Sequence, residues 1–181
     1  MTTLRKRDDR KNLARELASN RTDALEIVRE ALTNAKDHQA ERVFIRSFRD
    51  ARAQITLVIA DDGQGLNDAR FEAFMGIGST DKPGAQNSIG YKGHGTKLYL
   101  ECKTLLVASR TKDEADWRYT EEADPLHNAD RSTFEVAPLP PEHRLRTYLN
   151  DMELRHGTLI CMEGLECEDG DAVLQRKRIE S

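Results

Sequence analysis

Cysteine is scarce in this 181-residue chain, which holds only Cys102, Cys161 and Cys167. Three is an odd number, and no two of them form a C-x-x-C pair, which argues against a disulfide framework and against a zinc site. Cys102 and Cys161 fall inside apolar patterns and are expected to be buried, reduced thiols, a usage that fits a cytoplasmic protein. Long hydrophobic runs are missing too. None approaches the roughly 20 residues that span a bilayer, and the charged N-terminus lacks a signal-peptide core, so no membrane is expected as a partner. No excess of one charge sign stands out, since the net charge is -4, and bulk electrostatics therefore do not indicate nucleic acid. The basic residues Arg5, Lys6, Arg7, Arg10 and Lys11 are interrupted by Asp8 and Asp9 and read as a solvated arm. Neither G-x-x-x-x-G-K-[ST] nor G-x-G-x-x-G is present, which sets aside the P-loop and the dinucleotide fold.

What is there suffices for one domain with a core. Apolar residues make up 38% and charged residues 33%, and the apolar ones recur with clear periods, unlike a disordered chain. Residues 10–18 suggest a short helix. A second helix is capped by Thr22, with Leu25, Val28, Leu32 and Ala35 predicted to share its apolar face. Strands are predicted over Arg42–Phe48 and Gln54–Ala60, and a helix over Asn67–Met75. Six glycines crowd Gly76–Gly95, which reads as a loop. A helix over Thr96–Cys102, strands over Thr104–Ser109, Asp116–Thr120 and Ser132–Val136, an acidic turn over Glu121–Asp130, a helix over Glu142–Glu153 and a strand over Thr158–Met162 complete the reading. There is no internal repeat and no interior linker. Residues 1–20 are expected as an arm or helix, 21–163 as the domain, and 164–181 as a charged tail or a linker to a further domain.

Three short motifs follow one another in a fixed order. Glu30 and Asn34 are one helical turn apart and share a face. An amide oxygen is a neutral, hard ligand suited to Mg²⁺, and a carboxylate beside it can deprotonate a water for attack on a phosphate. Alone, the spacing is equally an ordinary polar helix face. Asp61, with Gly63 and Gly65, stands just past a buried strand. Its carboxylate can accept from an exocyclic amine such as adenine N6, and the glycines let the backbone turn tightly. Alone, this is equally a strand-to-helix turn. Gly90, Gly93 and Gly95 then precede a helix, whose free N–H groups suit phosphate.

Taken together, these motifs resemble the GHKL family of ATP-binding domains, which includes gyrase B, the 90-kDa heat-shock chaperones, histidine kinases and MutL. Glu30-Ala31-Leu32-Thr33-Asn34-Ala35-Lys36-Asp37 is similar to the family's N box, and Asp61-Asp62-Gly63-Gln64-Gly65 to its first glycine box. Gly90-Tyr91-Lys92-Gly93-His94-Gly95 resembles its second glycine box, and Gly157-Thr158 a later Gly-Thr before the last strand. The resemblance implies an α+β fold, a two-layer sandwich of a mixed sheet with helices on one face and an ATP lid. It implies Mg²⁺ and ATP as cofactors, Glu30 as the general base and Asn34 as the metal ligand. Asp61 would read adenine N6 with Thr158 supporting it, and Gly63 and Gly65 would shape the base pocket. Gly90, Gly93 and Gly95 would wrap the phosphates. Asp37, His94 and Thr96 are counted with the ATP-binding set, His94 without a role.

Two details resemble the chaperone, MutL and microrchidia branch, Gly78-Ser79-Thr80-Asp81-Lys82 at the start of the lid and Gly93-His94-Gly95-Thr96-Lys97 at its end. Lys82 and Lys97 are candidates to neutralise phosphate charge when a lid closes. The expected function is Mg-dependent ATP binding with slow hydrolysis, lid closure gating a homodimer or a contact with a protein partner or downstream domain. The alternative is a protein kinase of the anti-sigma-factor or sensor histidine kinase type, whose E-x-x-x-N pattern is similar. A nucleotide-gated binding module without turnover stays open as a third class.

Overall fold

A computed structural model describes residues 1–5, 24–76, 95–128 and 133–165. In chain order the elements are β1 (Thr2–Arg5), α1 (Ala24–Asp37), β2 (Val43–Arg49), β3 (Ile55–Asp61), α2 (Asp68–Met75), a 3-10 helix (Gly95–Leu100), β4 (Cys102–Arg110), β5 (Arg118–Ala123), β6 (Thr133–Pro138), α3 (Leu145–Asp151) and β7 (Gly157–Leu165). The strands form one seven-stranded sheet in the order β1-β6-β5-β4-β7-β3-β2.

The α+β class stands, with two differences from the expected detail. Every pairing among the described residues is antiparallel, rather than mixed. The helices also divide between the two faces. Leu57 and Ile59 of β3, with Ile160 and Met162 of β7, pack against Ile27 and Ala31 of α1 and Phe71 and Met75 of α2. Val58 and Ala60, with Leu159 and Cys161, pack on the opposite side against Leu145 and Leu149 of α3 and against Trp117. The central strands are apolar on both faces, so both faces need cover. Leu57 is fully buried. Leu57→Ala is expected to lose about 2–5 kcal/mol of stability, read from the midpoint of urea denaturation at unchanged slope.

Local chemistry explains several boundaries. Asp50 Oδ1 accepts the N–H groups of Arg52 and Gln54 at 2.8 and 2.9 Å and closes the β2–β3 hairpin. Asn67 caps α2 through Oδ1, which accepts Arg70 N–H at 3.0 Å. Thr22 and the helix suggested over 10–18 lie outside the described residues. So does Cys167, while Cys102 and Cys161 are buried free thiols as expected. Thr2–Arg5 of the expected arm add an edge strand, β1, beside β6. Leu4 of β1 is buried in the core, and Arg5 N–H donates to Glu72 Oε1 at 3.4 Å.

Three readings need correction. The buried face of α1 carries Ile27, Ala31 and Ala35, whereas Leu25 and Leu32 are 42% and 46% exposed. Two alanines let the helix approach the sheet closely, which a leucine face would not. The acidic turn begins after Ala123, because β5 continues through Glu121 and Glu122 in register with Leu106 and Leu105. Glu121 pairs with Arg144 at 3.2 Å. The helix expected over Thr96–Cys102 is a 3-10 turn ending at Leu100, and Cys102 already begins β4. Among the described residues no helix is long and apolar enough to cross a membrane.

Candidate functional site

Glu30 and Asn34 project from the same flank of α1, as their spacing requires. Asn34 hydrogen-bonds the Glu30 carboxylate, and its Nδ2 also donates toward Tyr99 Oη at 3.5 Å. The amide nitrogen is thereby engaged on both sides. A carboxylate only accepts, so both contacts use the amide nitrogen and neither occupies Asn34 Oδ1. Burial raises the Glu30 carboxyl above its ordinary value, the Asn34 hydrogen bond opposes the rise, and the charge of Asp37 adds to it. Asp37, the last residue of α1, is exposed and acts on Glu30 only through its charge.

Asp61 ends β3. Its carboxyl is pushed up to about 6, mainly by burial. The Gly63 N–H, donating to Oδ1 at 2.9 Å, works against that rise, as does the proximity of His156, while Asp62 adds to it. The neighbouring carboxylate is committed elsewhere. Asp62 accepts the backbone N–H groups of Glu41 and Arg42 and Arg42 Nε, each at 2.8 Å. Burial raises the Asp62 carboxyl, and these bonds outweigh burial and hold it below its ordinary value. Of two adjacent aspartates, then, one ties the strands together and the other faces the site.

Tyr99, in the 3-10 helix, links the two halves. It is fully buried and stacks on Phe74 with ring centroids 5.5 Å apart. Burial raises its phenol far above the ordinary value, the hydrogen bond with Asn34 opposes this, and the charges of both Glu30 and Asp61 add to it. One side chain thus senses the α1 pair and the β3 carboxylate together.

The turn after Asp61 is clamped from several elements. Gln64 N–H donates to His38 O at 3.1 Å. Arg70 of α2 donates to Gly65 O at 3.1 Å and to Gln64 Oε1 at 2.6 Å. Ser109 Oγ of β4 accepts Leu66 N–H and donates to Gly157 O, both at 2.7 Å. With that proton committed, Thr158 is the donor in its 3.4 Å contact with Ser109 Oγ. Strand register sets Thr158 opposite both Asp61 and Ser109. Gly65 has φ +71°, and a Cβ there would lie 2.4 Å from Arg110 O, so glycine is required. Gly63 does not adopt a positive φ. A Cβ there would lie 2.8 Å from both Asp61 Oδ1 and His38 O, so the need is for space.

The structure therefore brings Glu30, Asn34, Asp61, Gly63, Gly65 and Thr158 to one end of the sheet. Lys82, Gly90, Gly93 and His94 lie outside the described residues. Gly95, Thr96 and Lys97 open the 3-10 helix that carries Tyr99. Sequence reasoning missed Tyr99, Ser109, Arg70 and His156. Only His156 stood beside a recognised motif, immediately before Gly157-Thr158.

Among the described residues no group of three or more His, Cys, Asp or Glu side chains is placed to hold a metal ion. A cation held mainly by phosphate oxygens and water needs only one or two protein ligands. The Oδ1 of Asn34, left over once its nitrogen is engaged, fits that requirement.

Comparison with known proteins gives two findings. Residues 23–158 match the family described as histidine kinase-, DNA gyrase B-, and HSP90-like ATPase. The fold is similar to the ATPase and transducer domains of DNA topoisomerase II from Balamuthia mandrillaris, with a TM-score of 0.52 and 17% identity. That alignment covers 81% of this chain and 38% of the topoisomerase chain, so this chain spans well under half of that structure. No curated protein matches the sequence.

Proposed function

Because the chain belongs to the family of histidine kinase-, DNA gyrase B- and HSP90-like ATPases, we propose that it binds Mg-ATP at this end of the sheet and hydrolyses it slowly. The observation that carries the reading is Tyr99, which hydrogen-bonds Asn34 and senses the charges of Glu30 and Asp61 at once. Three stretches far apart in sequence meet there: α1 supplies groups suited to the phosphates and their metal, β3 a group suited to the base, and the 3-10 helix the buried phenol between them.

In this reading Asp61 accepts the adenine N6 amine through Oδ2, since Oδ1 already accepts Gly63 N–H. Thr158 and Ser109 steady the polar network beside it. Gly63 and Gly65 shape the base pocket by letting the turn pack directly against His38 and Arg110. Asn34 would hold Mg²⁺ through Oδ1, and the ion supplies charge neutralisation on the phosphates when bound. Glu30 takes the proton from the attacking water, and its carboxyl, raised by burial, is basic enough for that task. Gly90, Gly93 and Gly95 wrap the phosphates, with Lys82 and Lys97 neutralising them. Closure of that segment gates a homodimer or contact with a partner protein. The same site with a protein hydroxyl or imidazole in place of water would act as a kinase.

Asp61→Asn tests the base assignment. The amide keeps the shape but offers either an acceptor or a competing N–H donor, so ATP affinity is expected to fall at least about tenfold. Titration calorimetry with the full chain reads it directly. Unchanged affinity would remove Asp61 from the base pocket.

A further inference from the structure

Gly63 is held at both ends. Its N–H donates to Asp61 Oδ1 at 2.9 Å, and its carbonyl oxygen lies 2.9 Å from His156 Nδ1. A carbonyl oxygen only accepts, so Nδ1 carries the proton. Three successive residues of the strand entrance thus engage the turn. His156 reaches the Gly63 carbonyl with its ring. Gly157 lies against the Asp61 carbonyl so closely that a Cβ would come within 1.9 Å. Thr158 pairs with Asp61 in register. His156 also lines a cleft of about 680 Å³ behind the turn, with Arg42, Asp62 and Arg155, so it reaches Gly63 from the side of Asp62 and Arg42.

We propose that His156 is a positioning residue for adenine recognition, acting through Gly63 to fix which oxygen of Asp61 is left for the base. The inference rests on the reading of Asp61 as the group that meets adenine. Nδ1–H anchors the Gly63–Gln64 peptide, whose own N–H is held by His38 O, and this fixes the glycine Cα from which the preceding peptide sends the Gly63 N–H to Asp61 Oδ1, leaving Oδ2 for the N6 amine. Without His156 that peptide keeps only the His38 contact, the glycine torsions loosen, the Gly63 N–H is held less firmly at Oδ1, and the carboxylate loses its single orientation. The charge effect runs the same way, since His156 lowers the Asp61 carboxyl against the rise from burial and so favours the ionised acceptor.

The test compares ATP with purine riboside triphosphate, which lacks only the N6 amine. Affinities of the full chain for both are measured for wild type, His156→Leu, His156→Asn, Asp61→Asn and the double variant His156→Leu/Asp61→Asn. His156→Leu is expected to weaken ATP about tenfold and purine riboside triphosphate less than about twofold. His156→Asn, whose amide N–H reaches roughly where Nδ1 stands, restores most of the loss. In the Asp61→Asn background the further change to leucine has little effect, because the two residues act in one relay. Equal losses for the two nucleotides, additive losses in the double variant, or no rescue by asparagine would each overturn the proposal. The nitrogen-15 spectrum of His156 in the nucleotide-free protein gives an independent readout. The Nδ1–H form is expected, and the Nε2–H tautomer would overturn the relay whatever the nucleotide does. A silent Asp61→Asn, with the Nδ1–H form present, would instead bring down the adenine assignment, and the relay with it.

Discussion

Glu30→Ala is expected to cut ATP turnover by a factor of about 10²–10⁴ while leaving ATP affinity within about threefold of wild type. The carboxylate stands one turn from Asn34 and shares with it the buried Tyr99. It makes no contribution to the base pocket in this reading, so its removal acts on the chemical step and spares binding. Burial raises its carboxyl, and Asp37 raises it further against the Asn34 hydrogen bond. A base with a raised value is protonated, and idle, over a wider acidic range. Turnover should therefore climb with pH through a midpoint above the ordinary glutamate value, and that limb should vanish in Glu30→Ala. The measurement follows γ-labelled ATP with Mg²⁺, scoring free phosphate against label on protein. Free phosphate that persists in the variant would remove Glu30 as the base. Label on this chain or on a co-purified protein would carry the kinase reading in place of the hydrolase.

Pairs and triplets of chemically suited residues were legible wherever a regular element fixed their spacing. Glu30 and Asn34 could be placed on one helix flank because four residues make one turn. Asp61 could be placed at the end of β3 because that strand announces itself through Ile55, Thr56, Val58 and Ile59. The face of α1 was misjudged for a physical reason. Leucine weighs more than alanine in an apolar count, yet Ala31 and Ala35 are the residues that let the helix lie close to β3, leaving Leu25 and Leu32 exposed. The side of the sheet taken by α3 could not be read, since β3, β4 and β7 are apolar on both faces and a strand without alternation does not say which face a helix will cover. Asp61 and Asp62 were indistinguishable as letters. Their roles separate only once Arg42 and the backbone of Glu41 close around Asp62. His156 and Ser109 act through hydrogen bonds to residues more than 40 positions away, and Arg70 through side-chain bonds back to the preceding turn; such bonds leave no periodic trace in the chain.

Gly157→Ala is the substitution expected to damage the fold most for its size. Gly157 has φ +116°, and a Cβ would sit 1.9 Å from Asp61 O and 2.8 Å from its carbonyl carbon. The obstacle is backbone in a central strand pair, so no side chain can swing aside. Strain of both kinds at one residue is expected to lower stability by about 3–5 kcal/mol, read as a shift in the denaturation midpoint. Gly164→Ala in the same strand serves as the control. Its φ is +66°, but the nearest atoms are the side chain of Lys103 at 2.9 Å, which can move, so about 1 kcal/mol is expected. A wild-type midpoint for Gly157→Ala would mean that β7 does not enter the sheet this close to Asp61. A further consequence separates packing from the site. Relief of the clash requires β7 and the Asp61 carbonyl to part, which pulls Thr158 and His156 from the turn together. Any Gly157→Ala protein that still folds should therefore lose ATP affinity at least as severely as His156→Leu, and the Gly164→Ala protein should bind as wild type does.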